Sequence, residues 1–214
     1  QNSPLPDLIV DYINAPSSAY EGQTISINNT VENQQGTSCG GSYVRFYLSP
    51  DTTITTSDKY IGQRYISSLS AETNSSANTS LSLPYGDGYY DGYWYVGAIA
   101  DATDLVEERV TVSSEYYENN NTKYDSTRIY ISNYAPSIPS RPSGNTSGSV
   151  NVSYSYTTSA SDQEGDSVRY GWDWDGNGTV DEWSGYGSSG WTDNRSHSWS
   201  SANTYNVRVK SGTK

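Results

Sequence analysis

Apolar and polar side chains take turns along most of this chain. In SYVRFYLS, Val44, Phe46 and Leu48 fall on one face, and Tyr43, Arg45 and Tyr47 on the other. In YWYVGAIAD, Trp94, Val96, Ala98 and Ala100 oppose Tyr93, Tyr95 and Ile99, so both faces are apolar and the strand is expected inside its sheet. GSVNVSYSY places Val150, Val152, Tyr154 and Tyr156 on one side; SVRYGWDW does the same with Val168, Tyr170, Trp172 and Trp174. In TYNVRVK, Tyr205, Val207 and Val209 face away from Asn206, Arg208 and Lys210. A repeat of two is the signature of extended strand, whose successive side chains point to opposite faces. No segment sustains the 3.6-residue repeat of a helix. The pattern predicts an all-β protein built from β-sandwiches, apolar inward and polar outward.

One stretch interrupts it. NYAPSIPSRPSG, residues 133–144, carries Pro136, Pro139 and Pro142 at a spacing of three, which favours polyproline II geometry and reads as a semi-rigid linker. The flanking parts, 1–132 and 145–214, are each expected to form one antiparallel sandwich.

Composition supports sheets and narrows the partners. The 214 residues include 21 Tyr and 6 Trp but only 1 Phe, and aromatic, Thr-rich segments separated by Gly, Asn and Asp turns are strand chemistry. The formal net charge is -12, which argues against nucleic acid and against electrostatic docking on anionic membranes. No apolar run approaches the roughly 18 residues of a membrane-spanning helix, so membrane insertion is not expected. The opening QNSPLPDLIV is compatible with a mature terminus left by cleavage. Asn-x-Ser/Thr sequons at Asn28, Asn74, Asn78, Asn120, Asn145, Asn151, Asn177 and Asn194 fit a secreted, glycosylated surface protein. The single cysteine, Cys39, has no internal disulfide partner; it reads as a small buried residue or as one half of an intermolecular bridge.

Clustered carboxylates are compatible with divalent cations. GWDWDGNGTVDEW sets Asp173, Asp175, Asn177 and Asp181 at alternating positions around Gly178, most of a calcium-loop consensus. An EF-hand is not expected: position 12 of such a loop is Ser184, and the upstream flank alternates like a strand. A calcium-binding strand-turn and a bare acidic turn remain. In the former, Asp173, Asp175, Asn177 and Asp181 supply side-chain oxygens and Thr179 a backbone carbonyl. A glycan on Asn177 would spoil its amide as a ligand. A second cluster, Asp162, Glu164 and Asp166, reads by default as a solvated turn, with an ion as the alternative; Asp51 and Asp58 read as structural.

Catalytic residues are not expected. The chain has one histidine, His197, and one cysteine, too few for a zinc site, and no G-x-S-x-G elbow.

The first part resembles the CARDB family, adhesion-related Ig-like domains of bacterial and archaeal surface proteins. The resemblance rests on PDLIV at 6–10, GQTISINNTVEN at 22–33, GGSYVRFYLSPDTTITTSDKYIG at 40–62, GYWYVGAIAD at 92–101 and EYYENNNT at 115–122. The second part resembles a PKD domain, another Ig-like sandwich, through SASDQEGDSVRYGWDWDGNG at 159–178 and HSWSSANTYNVRVK at 197–210. That resemblance makes His197 a packing residue. It also implies one further strand after VRVKSGTK, so an open edge beside Val207 and Val209 is expected. Together the resemblances imply two tandem Ig-like antiparallel β-sandwiches and an extracellular structural or adhesion protein, whose partners are copies of itself or other surface proteins. A filament or sheath subunit assembled by strand complementation is one variant. The alternative is a non-catalytic polysaccharide-binding module of a secreted hydrolase, gripping sugar through Trp183, Tyr186 and Trp191.

Overall fold

The computed structural model describes residues 5–86, 89–106, 108 and 120–213, and among these every regular element is a strand. The EYYEN part of the family resemblance, 115–119, lies outside the described residues. The chain divides into two compact units, one of Gln1–Pro84 with Asp91–Ser132, the other of Tyr85–Tyr90 with Asn133–Lys214.

Unit one contains β1 (Leu8–Asn14), β2 (Ser18–Tyr20), β3 (Thr24–Asn33), β4 (Ser42–Ser49), β5 (Lys59–Ile66), β6 (Thr73–Ser82), β7 (Gly92–Ile99), β8 (Thr122–Tyr124) and β9 (Ile129–Ser132). Strands β1, β3 and β6 form one antiparallel sheet in that order. The other sheet runs β2-β9-β7-β4-β5, with β8 also on β7 and only the β2–β9 pair parallel. Leu8, Val10, Ile25, Ile27 and Val31 of the first sheet, and Val44, Phe46, Leu48, Val96, Ala98, Ile129 and Ile131 of the second, are buried. Each of these side chains other than Ala98 contributes about 1.5–3 kcal/mol by leaving water. Strand β7, apolar on both faces, is the middle strand as its pattern implies.

The segment between β4 and β5 explains that double apolarity. Asp51 Oδ1 accepts the Thr53 amide, and Asp58 Oδ2 accepts the Thr55 amide and hydroxyl, so two side-chain turns fix the loop. The loop buries Ile54 against Gly97 of β7, where a β-carbon would stand 2.3 Å from the Ile54 side chain.

Unit two contains β10 (Ser143–Gly144), β11 (Tyr154–Ser159), β12 (Val168–Asp173), β13 (Glu182–Trp183), β14 (Thr192–His197) and β15 (Arg208–Thr213). Its two antiparallel sheets are ordered β10-β11-β14 and β13-β12-β15. The core is aromatic: Tyr156, Tyr170, Trp172 and Trp174 with Ala160 and Val168, joined at the margin by Tyr154, Trp191, Trp199, Val207 and Val209. Trp172 stacks on Trp174 at 4.7 Å between centroids, and Trp174 on His197 at 4.8 Å. The polar tips are satisfied: Tyr170 Oη donates to the Trp191 carbonyl and accepts from the Ala160 amide.

Three expectations need correction. The alternation in GSVNVSYSY does not continue as strand: β11 begins at Tyr154, and Val150 and Val152 are exposed. Asn151 takes a φ of 60° and donates its amide to the Trp199 carbonyl, which turns the chain there. Strand β15 likewise begins only at Arg208, after Tyr205 and Val207. The Pro-rich stretch is no free spacer. The Ser137 and Ser140 amides donate to the Ser161 and Ser159 carbonyls, and Ser143 and Gly144 pair with Thr157 and Tyr156. Proline is tolerated there because an edge strand need not donate from every residue.

Candidate functional site

The acidic loop at 173–181 joins β12 to β13, two paired strands, with Trp172 opposite Glu182. Asp173, at the end of β12, is buried and turns back into the loop. Its Oδ1 accepts the Gly176 and Asn177 amides and its Oδ2 the Gly178 amide. Burial pushes this carboxyl up, but those amides outweigh it and hold its pKa below the usual value. Gly176 and Gly178 have φ of 77° and 91°, and a β-carbon on Gly176 would meet the Asn206 carbonyl at 2.6 Å, so glycine is required at that turn. Asp175 Oδ1 accepts the Asn177 amide, Asn177 Oδ1 the Thr179 amide, and Asp181 Oδ2 the Trp174 amide. One oxygen from each of Asp173, Asp175 and Asp181 lies within 4.8 Å of the others. The loop thus gathers hard oxygen donors of the kind calcium takes, oriented by backbone amides.

The second cluster lies in the same unit. Asp162, Glu164 and Asp166 also bring one carboxylate oxygen each within 4.8 Å of one another. It is not the solvated turn that its sequence suggests: Asp162 and Asp166 are 6 % and 5 % exposed. Asp162 Oδ1 accepts the Glu164 and Asp166 amides, while the Ser189 hydroxyl bridges the Asp162 backbone amide and carbonyl. Burial, then the negative charge of Asp162, pushes the Glu164 carboxyl up.

Aromatic surfaces are the other functional feature. On the larger sheet of unit one, tyrosines meet across neighbouring strands: Tyr43 with Tyr65 at 5.0 Å, Tyr93 with Tyr130 at 4.9 Å and Tyr95 with Tyr124 at 5.5 Å. Arg45 lies over Tyr60, and Arg128 over Tyr93 and Tyr95. Tyr60, Tyr65, Tyr93, Tyr124 and Tyr130 remain exposed. In unit two, Trp183 and Tyr186 are exposed and flank Arg169. Trp191, expected beside them as a sugar platform, instead packs on Tyr170 and donates its indole N–H to the Val168 carbonyl. A cleft of about 680 Å³ opens in the same unit, lined by Val150, Tyr154, Tyr156, Trp199, Tyr205 and Val207.

The remaining candidates are placed simply. The sequon residues Asn28, Asn74, Asn78, Asn120, Asn145, Asn151, Asn177 and Asn194 are all exposed. Cys39 is buried, donates its amide to the Leu69 carbonyl, and has its thiol pushed up by burial, which disfavours an intermolecular disulfide. His197 is sandwiched against Trp174 and meets Trp199 edge-on. No helix among the described residues is long and apolar enough to cross a membrane.

A family model described as CARDB matches residues 5–125. The chain is similar in fold to the CARDB domain of the PF1109 protein from Pyrococcus furiosus, solved in complex with di-metal ions. Identity is 17 %, the match covers 62 % of this chain and 93 % of that one, and the TM-score is 0.43. It is also similar to the PKD domain of an M14-like peptidase from Thermoplasmatales archaeon SCGC AB-540-F20. That match has 36 % identity over 38 % of this chain and 82 % of the other, with a TM-score of 0.35. No curated protein matches.

Proposed function

Because the chain belongs to the CARDB family over residues 5–125, we propose that it is a non-catalytic structural or adhesion module of an extracellular surface, associating with copies of itself. The tyrosine-lined face of the larger sheet in unit one carries this reading. Tyrosine buries much area yet keeps a polar tip, so a face of exposed, mutually packed tyrosines is soluble alone and adhesive against a like surface. Arg45 and Arg128, set among the rings, supply positive charge on a chain whose net charge is -12, which favours contact with an acidic partner such as a second copy.

Three finer features belong to the same reading. The exposed sequon asparagines other than Asn177 carry glycans, with Asn28 and Asn78 sharing one between them. Calcium is held by Asp173, Asp175, Asn177, Thr179 and Asp181, and by coupling binding to folding it stiffens unit two. The aromatic cleft beside Val207, next to β15, which forms one edge of its sheet, accepts a strand from a neighbouring molecule and allows end-to-end growth. Beads coated with the chain test the reading: they are expected to cluster in calcium, and beads that stay dispersed at every calcium and salt concentration would contradict it.

A second reading has its own support. Exposed Trp183 and Tyr186 offer ring faces on which sugars stack, as in an accessory module of a secreted hydrolase. Affinity electrophoresis in polysaccharide gels separates the two. Retardation that disappears in Trp183→Ala selects polysaccharide binding; unchanged migration selects the adhesion module.

A further inference from the structure

Tyr93 of β7 and Tyr130 of β9 stand directly opposite each other in an antiparallel ladder. Their side chains leave the same face of the sheet side by side, and the ring centres are 4.9 Å apart with planes tilted by 57°. Both rings also reach solvent, being 59 % and 42 % exposed. Projection from paired backbone positions turns the outer ring edges toward each other, with the ortho carbons beside the two hydroxyls.

Other pairs lack one of these features. Tyr47 and Tyr60 have the same register relation between β4 and β5, but their rings are 5.9 Å apart, edge to face, and Tyr47 is buried. Among the described tyrosine pairs of this sheet, only Tyr93 with Tyr130 has both members exposed. Competing sinks for an oxidant are few. The chain has no methionine, its one cysteine, Cys39, is buried, and five of its six tryptophans lie in unit two. Unit one therefore offers an oxidant chiefly tyrosine edges.

We propose that Tyr93 and Tyr130 are a modification site, joined as dityrosine by a peroxidase that uses hydrogen peroxide as its oxidant. Each phenol gives up one hydrogen atom to become a phenoxyl radical, whose unpaired electron is shared by the ortho carbons. The two radicals combine in one carbon–carbon bond between those carbons. The hydrogen on each joined carbon then moves to its phenolic oxygen, which restores both hydroxyls. The chain loses two hydrogen atoms in all, and one peroxide takes them to become two waters.

The link acts on the sheet. Strand β9 meets β7 through Gly92 with Ile131, Tyr93 with Tyr130 and Trp94 with Ile129, and β2 joins the sheet through β9. A covalent bond at the central pair staples β2 and β9 in place. It also closes the 94–129 segment into a loop, which lowers the entropy of the unfolded chain as a disulfide does. Both rings belong to one chain, so the site is independent of self-association.

Oxidising the dilute chain with hydrogen peroxide and a peroxidase, then mapping linked peptides by mass spectrometry, tests the proposal. The expected product is a monomer in which the Tyr93 peptide is joined to the Tyr130 peptide at two hydrogens below their summed mass. Tyr130→Phe keeps the ring but cannot form the second phenoxyl radical, and should lose this product. Tyr60→Phe should leave it unchanged. The thermal midpoint of the linked wild type is expected to rise by about 10 °C, with no rise in oxidised Tyr130→Phe. Products joined only between chains, or links spread equally over Tyr47–Tyr60 and the other exposed tyrosines, would overturn the site. So would a linked chain that melts no higher than the unoxidised one.

Discussion

Trp172 and Asp193 join the two sheets of unit two: the indole Nε1 of β12 donates to Asp193 Oδ2 of β14 at 2.8 Å, and both residues are buried. The same oxygen takes Arg195 Nε at 3.2 Å. The contact therefore fixes the largest core side chain and neutralises the carboxylate that does so. Removing it leaves a buried donor unanswered. Asp193→Ala is expected to destabilise unit two by about 2–3 kcal/mol, and Asp193→Asn by less, since the amide oxygen still accepts. Tryptophan fluorescence during urea unfolding measures this directly, because five of the six tryptophans (all but Trp94) lie in unit two. Equal midpoints for wild type and Asp193→Ala would contradict it.

The Asp173 carboxyl should give the loop an acid limit. Its folded pKa lies below the unfolded value of about 3.9. The stabilisation is therefore complete above that value and is lost as pH falls through the folded pKa. Between pH 7 and 5 this group contributes no pH dependence; below about pH 4 the amides of Gly176, Asn177 and Gly178 lose their ionised acceptor. Amide hydrogen exchange across the loop should rise only in that acid range. Increased exchange already at pH 5 would show that another group controls the loop.

Asn28 of β3 and Asn78 of β6 are directly paired across strands, and both are exposed. Side chains in this relation stand about 5 Å apart, too close for two branched glycans to pack freely. Glycopeptide mass spectrometry is expected to find combined occupancy of no more than one glycan per chain at these two sites, with Asn28→Gln raising occupancy at Asn78. Full occupancy at both would contradict the crowding.

Ile54 over Gly97 is a second packing test. Gly97→Val has no room, since even a β-carbon meets Ile54 at 2.3 Å, and overpacking of this kind costs about 1–3 kcal/mol. Pairing it with Ile54→Ala should recover part of the loss in thermal unfolding. A double variant less stable than the sum of both single losses would rule out that contact as the cause.

How much was legible in the sequence depended on how local the information was. Val44, Phe46 and Leu48, and likewise Val168, Tyr170 and Trp172, announce their strands because alternation is a property of neighbours in the chain. Val150 and Val152 misled because the same alternation ran on through a turn set by the backbone of Asn151. The three prolines suggested a spacer. Their intervening serines, Ser137 and Ser140, supply the amides that bind the segment to unit two, and that partnership spans 24 and 19 residues. The convergence of Asp173, Asp175 and Asp181 was readable from spacing alone, as the whole loop is nine residues of local geometry. Asp162 was not: what buries it includes Ser189, 27 residues away, and no sequence pattern carries that contact. The tyrosine face needed the register of β4 with β5 and of β7 with β9 before Tyr43 could meet Tyr65 or Tyr93 meet Tyr130.

The adhesive role of that tyrosine face is tested most directly by sedimentation velocity of the whole chain in calcium, beside a variant carrying Tyr60→Ser, Tyr65→Ser, Tyr93→Ser and Tyr130→Ser. The wild type is expected to sediment faster as its concentration rises, and the folded variant to remain a monomer throughout. A wild type that stays monomeric at every concentration, or a variant that associates as well as the wild type, would contradict the account.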